Sequence, residues 1–324
     1  MTGRPIVLVT GASGFVGRHL ARRYWRGGGW ALRRAVRTPS GHDGDFLIDS
    51  IGPTLDWRAA LEGVEAVVHL AARVHHRREE QAAELYRSVN TEGTLRLAQS
   101  AANAGVRKFI FVSTVLVHGR SSDGRRAFRE NDTLTPRGVY GMSKAAAEAG
   151  LEAMSQDSDM RVTVIRPPLI YGAGAKGNFR LLVNAVRRGI PLPFAAVRNH
   201  RAFLSVENLS SFVSYRLSHA DRKFDVFLLA DAEQVSTPEF IKRLAKAAGT
   251  KPRLFPVPAS ILKSLLKISG RQEAVDSLLG SLELDVSKAA STGWRPQITL
   301  DEGLRSATRE GCAISLPGID VPTR

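Results

Sequence analysis

The chain has 324 residues, 43% hydrophobic and 24% charged, enough for one large domain or two ordinary ones around a buried core and too apolar for a disordered chain. No apolar run approaches the roughly 20 residues that cross a bilayer. No signal-peptide pattern follows Met1, and the single cysteine, Cys312, excludes an intrachain disulfide framework and a cysteine-rich metal site. A reducing cytoplasm is the expected compartment. The net charge of +15 comes from 46 basic against 31 acidic residues, and 36 of the 46 are arginine. These are spread along the chain (Arg22-Arg23, Arg33-Arg34, Arg77-Arg78, Arg125-Arg126, Arg187-Arg188) rather than gathered on one tail. That pattern reads first as solvated arginine-rich faces, then as attraction to phosphorylated small molecules, and not as a nucleic-acid surface.

In chain order, Ile6-Val7-Leu8-Val9 is a short apolar strand, followed by a glycine cluster and a helix-like stretch to about Arg26. A second strand runs from Ala31 to Arg37, and Ala66-Val67-Val68-His69-Leu70, Phe109-Ile110-Phe111-Val112 and Val162-Thr163-Val164-Ile165 are three more. Strands apolar on both faces and separated by helices imply a parallel sheet covered on each side. Tyr86, Val89, Gly93, Leu97 and Ala101 trace one helix face that stops near Gly105. The rhythm changes after Arg166-Pro167-Pro168: residues 171–204 are rich in Gly, Pro and Phe, Phe224 to Ala230 reads as a strand, and 237–310 read mainly as helices. The expected fold is α/β, a Rossmann-type doubly wound parallel sheet with helices on both faces and a smaller, interleaved C-terminal region.

Thr10-Gly11-Ala12-Ser13-Gly14-Phe15-Val16-Gly17 follows the first strand directly and opens the first helix. Gly11 permits the tight turn, Gly14 lets the backbone approach a pyrophosphate and Gly17 lets the helix pack closely on the sheet. The helix start, with Ser13, Phe15 and Val16, offers N–H groups and a positive dipole end to phosphates. A dinucleotide site follows, in a domain spanning 1–170 and joined by about 203–236. Residues 171–202 and 237–312 would then shape the substrate region, with 313–324 as a tail. The second strand carries no Asp or Glu at its end to take a ribose 2′-OH; Arg37 is placed for a 2′-phosphate, with Arg33 or Arg34 as lesser helpers. NADP(H) is therefore favoured over NAD(H).

Tyr140-Gly141-Met142-Ser143-Lys144 sets a phenol and an ammonium four residues apart, on one face of a helix. A neighbouring cation favours the phenolate, so the pair suits proton transfer to and from a substrate hydroxyl while hydride moves to or from a nicotinamide. Phe111-Val112-Ser113-Thr114 brings two hydroxyls to the ligand edge of the sheet, and Thr114 is the preferred third group beside Ser113.

These motifs resemble the extended short-chain dehydrogenase/reductase superfamily in its sugar-nucleotide epimerase/dehydratase branch, from Ile6 to about Gly303. His69-Leu70-Ala71-Ala72, Asn90-Thr91-Glu92-Gly93-Thr94, Arg166-Pro167-Pro168-Leu169-Ile170-Tyr171-Gly172 and Gly293-Trp294-Arg295-Pro296 also match. The resemblance implies that Leu70, Ala71, Ala72, Asn90, Val112 and Pro167 join the glycine turn, Tyr140 and Lys144 around the cofactor. It implies that Asn178 and Arg201 meet the phosphates of a nucleotide sugar. Three positions depart from the family pattern: His118 stands for a tyrosine, Asp49-Ser50-Ile51 for Gly-Asp-Ile at the adenine, and Val275 where a second diphosphate arginine is expected, with Arg271 nearby. Ser50 and Ile51 would still flank the cofactor.

The implied activity is NAD(P)-dependent oxidoreduction at C4 of a nucleotide sugar in bacterial surface-polysaccharide synthesis. A 4-ketoreductase is slightly preferred to a 4-epimerase with tightly held NAD; a cofactor-sensing binding protein of the same fold is the non-enzyme alternative. Dehydratase chemistry is disfavoured because Val115-Leu116, not an acidic pair, follows Thr114. A homodimer is expected, and no metal ligand set is recognised. His69 reads as structural, and His75 and His76 as loop or sugar-pocket residues. The stretch Ile261 to Lys267 reads as a packing helix before a lipid-surface one.

Overall fold

The apolar runs of the first half become the strands of one parallel sheet. The computed structural model describes residues 3–25, 29–74, 82–220, 222–268 and 272–309. Its strands are β1 (Ile6–Thr10), β2 (Ala31–Val36), β3 (Asp45–Leu47), β4 (Val64–His69), β5 (Lys108–Val112), β6 (Arg161–Arg166), β7 (Leu169–Tyr171), β8 (Phe203–Ser205) and β9 (Phe224–Leu228). The helices of the first half are α1 (Phe15–Trp25), α2 (Arg58–Leu61), α3 (Ala83–Tyr86), α4 (Gly93–Asn103) and α5 (Gly138–Gln156). Those of the second are α6 (Gly177–Arg187), α7 (Val206–Ser218), α8 (Thr237–Ala247), α9 (Ala259–Ile268), α10 (Gln272–Leu279), α11 (Ser287–Ser291) and α12 (Leu300–Thr308).

The main sheet has the order β3-β2-β1-β4-β5-β6-β9 and every pairing in it is parallel. This is the doubly wound α/β arrangement. Alternation along β1 shows why both faces are covered. Leu8 packs with Val67, Phe109 and Phe111 beneath Leu97 of α4 and Leu151 of α5. Val7 and Val9 pack with Val68 and Ile110 beneath Leu20 of α1 and Phe212 of α7. The chain leaves β1 towards β2 and β3 and returns on the other side as β4. A crevice therefore opens beyond the carboxyl ends of β1 and β4, where ligands bind in sheets of this kind.

The second region has its own core. β7 and β8 pair outside the main sheet, and Tyr171, Phe179, Phe203 and Phe240 gather around them with Leu300 and Leu304 of α12. Within 203–236, β8 belongs to this small sheet, whereas α7 covers the main one and β9 extends it beside β6. α9 packs through Leu262 against Val197, Val275 and Leu279, leaving Ile261, Leu265 and Ile268 exposed. No helix among the described residues is long and apolar enough to cross a membrane.

The expected Tyr86 helix face is interrupted. Arg87–Glu92 form a π turn between α3 and α4, and the extra residue turns Asn90 inward to full burial while Val89 stays half-buried. Just beyond it, His69 is completely buried with both ring nitrogens bonded. Thr94 Oγ1 donates to Asn90 O (2.7 Å), so it accepts from His69 Nε2 (2.9 Å), and Thr10 Oγ1 donates to Nδ1 (2.6 Å). Ala71 N–H donates to Thr10 Oγ1 (3.3 Å), closing a chain from β1 through β4 to the π turn. The ring is therefore neutral, with burial pushing its pKa down to about 3.

Thr10→Val would leave His69 Nδ1 and Ala71 N–H without partners inside the sheet. It is expected to lower the unfolding free energy by about 1–3 kcal/mol in urea titrations; a change below ~0.5 kcal/mol would show that the chain does not support the fold.

Candidate active site

The turn after β1 closes directly on the exit of β4. Gly11 has φ +68°, and a Cβ on it would stand 2.7 Å from Ala71 N, so no side chain fits there. A Cβ on Gly17 would lie 2.3 Å from Gly11 O and 2.6 Å from Ala12 Cα; this glycine seats α1 against the turn itself, not against the sheet. Gly14 N–H donates to Gly11 O (2.9 Å). Ser13 and Gly14 are exposed, Phe15 and Val16 half-buried, and Leu70, Ala71 and Ala72 form a half-buried opposite wall. No acidic residue lies in the first turn of α1 to neutralise its positive end.

On α5, Gly141 allows a close approach to the 3-10 turn Val115–Val117: a Cβ there would be 3.1 Å from Leu116 O. The first turns of α5 thus lie at the carboxyl end of β5. Lys144 is 1% exposed; its Nζ donates to Val112 O (3.0 Å) and sits 4.3 Å from the centre of the Phe111 ring. Burial pulls its pKa down to about 7, while the Glu148 carboxylate holds it up. The effect on Tyr140 is opposite to the sequence expectation. Desolvation pushes its phenol above the ordinary value, and Tyr86, edge-on at 6.5 Å, adds to this. The Lys144 ammonium is directed instead to Val112 O and the Phe111 face.

The two candidate hydroxyls separate clearly. Ser113 Oγ donates to Glu148 Oε1. Thr114 Oγ1 accepts from Leu116 N (3.2 Å), capping the 3-10 turn, and keeps its own proton to donate. Glu148 is the residue that sequence reasoning missed. Its Oε2 accepts from Arg166 Nη2 (2.6 Å) and Nε (2.9 Å), with both side chains buried. Its place four residues after Lys144 on the same helix face was the available signal. Arg166 Nη1 also donates to Glu130 O (3.0 Å) and to His118 Nε2 (2.9 Å). His118 must then carry its proton on Nδ1, and burial beside Arg166 pushes its pKa down to about 3.

The remaining predicted residues divide by what holds them. Arg33 Nη1 donates to Ala60 O (2.9 Å) and Glu62 O (2.7 Å), and Arg34 pairs with Asp45 at 2.9 Å. Neither is therefore a helper to Arg37, which stays exposed just past β2. Ser50 is exposed, and Ile51 packs where a Cβ on Gly93 would come within 2.7 Å of its Cγ2. Asn90 bridges the β4 exit and α5: Oδ1 accepts from Arg73 N (2.7 Å), and Nδ2 donates to Arg73 O (3.1 Å) and Ser143 Oγ (3.0 Å). Pro167 is buried and its carbonyl accepts from Val115 N (2.9 Å). Asn178 is exposed in the first turn of α6. Arg201 is turned to α10, where Nη1 donates to Asp276 O (2.8 Å) and Gly280 O (2.6 Å). His75, His76, Arg77, Arg78, Arg271, Cys312 and the 313–324 tail lie outside the described residues.

Residues 7–230 match the NAD dependent epimerase/dehydratase family. The chain is 37% identical over 309 residues to a UDP-glucose 4-epimerase from Vibrio cholerae, covering 94% of each protein. MoeE5 in complex with UDP-glucuronic acid and NAD has the same fold, with TM-score 0.75, 26% identity and coverage of 93% of this chain and 97% of that one. RMD from Pseudomonas aeruginosa, complexed with NADPH, gives TM-score 0.71 at 26% identity over 94% of this chain and 98% of that one. A glycine turn at the switch point, a Tyr/Lys pair over β5 and a match along nearly the whole length agree: this chain belongs to the NAD dependent epimerase/dehydratase family.

Proposed function

We propose that the protein is an NAD(P)-dependent enzyme that transfers hydride at C4 of a UDP-linked sugar, as a 4-ketoreductase or 4-epimerase. The observation that carries this reading is the seating of Tyr140, Lys144 and Thr114 at the carboxyl end of β5, in a sheet whose β1 and β4 ends form the glycine crevice. A nicotinamide dinucleotide fits that crevice, because Gly11 and Gly17 remove the side chains that would otherwise fill the turn. Gly11, Ser13, Gly14, Phe15, Val16 and Gly17 would hold its diphosphate, with Leu70, Ala71 and Ala72 opposite. When bound, it supplies or accepts the hydride.

The chain's own groups handle the proton and the sugar oxygen. Thr114 donates a hydrogen bond to the C4 oxygen, and the Tyr140 phenol exchanges a proton with it. Lys144 is the buried cation on the same helix face as that phenol, and with a pKa of about 7 its charge is lost as pH rises through neutrality. Glu148 keeps the charge on Lys144 to higher pH than burial alone would allow. The exposed Arg37 at the end of β2 supports NADP(H), and with it the ketoreductase. The Vibrio cholerae relative supports the epimerase.

Purified protein assayed with UDP-sugars and 4-keto-sugars decides between them: stoichiometric NADPH loss marks the reductase, retained NAD with no net consumption the epimerase. No turnover of any activated sugar would overturn the proposal. Tyr140→Phe is expected to lower kcat by about 10²–10⁴-fold with cofactor affinity kept. Arg37→Ala should weaken NADPH about tenfold and leave NADH unchanged; equal effects on both would remove the case for NADP(H). Glu148→Gln should move the alkaline limb of the kcat/KM profile to lower pH, because the carboxylate that raises the Lys144 pKa is gone. A limb that stays in place would separate Glu148 from the Lys144 charge.

A further inference from the structure

A cavity of 330 Å3 lies between α10 and the loop that runs from the 3-10 turn to α5. Thr114 stands four residues before His118 at one end of that loop, and Tyr140 three residues after Arg137 at the other. His118, Arg120, Arg125, Thr135, Arg137 and Asp276 line the cavity, three arginines and one aspartate among them. Arg125 is already paired with Asp132 at 3.2 Å and stacked over Phe128. Arg137 is exposed and makes no side-chain capping bond, although it is the residue that precedes α5. The Arg120 guanidinium reaches the same helix end: its Nη2 would be 3.0 Å from a Cβ placed on Gly138.

Three further features make this cavity favourable to an anion. The 19-residue α5 begins there with no side-chain cap and no acidic residue in its first turn, so neither its own cap nor its own first turn compensates its N–H groups and positive dipole end. His118 is 1% exposed and its Nδ1 has no hydrogen-bond partner among the described residues. Since Nε2 accepts from Arg166, that nitrogen carries a proton which an acceptor oxygen would satisfy. Arg201, the arginine expected on a diphosphate, instead gives two bonds to carbonyls at the end of α10, and Val275 is buried in the α9–α10 core.

We propose that this cavity is an oxyanion subsite of the substrate channel, in which Arg137, Arg120, the Nδ1–H of His118 and the start of α5 receive a phosphate or carboxylate group of the activated sugar. The inference rests on the nucleotide-sugar reading above and adds which chain groups hold the negative part of the substrate. The two sources share one chemistry, planar or tetrahedral oxygens accepting from guanidinium forks. They differ in which ligand feels the loss.

The test is calorimetric titration of the whole protein with inorganic pyrophosphate, UDP, UDP-glucose and UDP-glucuronate, in wild type, Arg137→Gln and Arg120→Gln, with NADPH affinity as the check on folding. Loss of about tenfold in affinity for pyrophosphate, UDP and both UDP-sugars assigns the diphosphate. A similar loss confined to UDP-glucuronate assigns a sugar carboxylate; either result supports the subsite. Affinities within twofold of wild type for all four ligands in both variants overturn it. Pyrophosphate binding that depends on Arg137, in a protein that binds no UDP compound, keeps the subsite and overturns the UDP-sugar reading. Absence of binding by wild type to all four overturns both.

Discussion

One buried carboxylate serves two buried cations, and the candidate site is arranged around it. Removing an ammonium or a guanidinium from water is unfavourable by several kcal/mol unless an opposite charge accompanies it. Glu148 meets this requirement for Arg166 by a two-pronged bond, and for Lys144 through space, one helical turn away. Its remaining oxygen accepts a hydrogen bond from Ser113 Oγ. Because Arg166 ends β6, Ser113 follows β5 and Glu148 rides on α5, the charge balance also fixes how the helix sits on the strand ends. The placing of Thr114 and Tyr140 depends on the same balance. Burial keeps Lys144 close to the point where its charge is gained or lost near neutral pH, which a solvent-exposed lysine would not do.

A second constraint ties the crevice to the rest of the chain. α1, whose first residues make the glycine turn, also touches the segment after β7. His19 donates through Nε2 to Ala173 O (2.8 Å), and Gly172, at φ +153°, leaves room for Phe15 and Val206 where a Cβ would come 2.5 Å from the valine Cγ1. Tyr171 then donates to Asp231 (2.7 Å), which also accepts from Asn208 (2.7 Å) and from Ser205 N (3.0 Å). Asn208 Oδ1 receives the backbone N–H groups of Gln297 and Ile298. The small sheet, α7 and the segment before the final helix are therefore held to one buried aspartate, and the region expected to shape a substrate cleft is hydrogen-bonded to the helix that opens the glycine turn.

Strand positions, the glycine turn and the Tyr140/Lys144 spacing were legible because each is a local pattern. Period-two burial, a turn that only glycine can make and an i, i+4 pair need only a few neighbouring residues to be recognised. Charges were far less legible. Arg33, Arg34, Arg37 and Arg201 look alike in sequence, yet of these four only Arg37 is uncommitted to backbone or carboxylate partners among the described residues. The Tyr140 phenol followed the same rule: its neighbour in sequence is a lysine, but that lysine's charge is directed elsewhere.

By itself, then, the sequence determined the parallel sheet, the crevice at its switch point and the helix that carries a phenol and an amine on one face. Only the tertiary structure decided the partners of the ionisable groups: Glu148 beneath Lys144, His118 in its neutral form against Arg166, Arg201 on the end of α10. The physical reason is the reach of the forces involved. Hydrophobic periodicity and backbone sterics act between near neighbours along the chain. The state of a buried charge is set by whatever group distant in sequence packs against it, and that is unknown until the chain has folded.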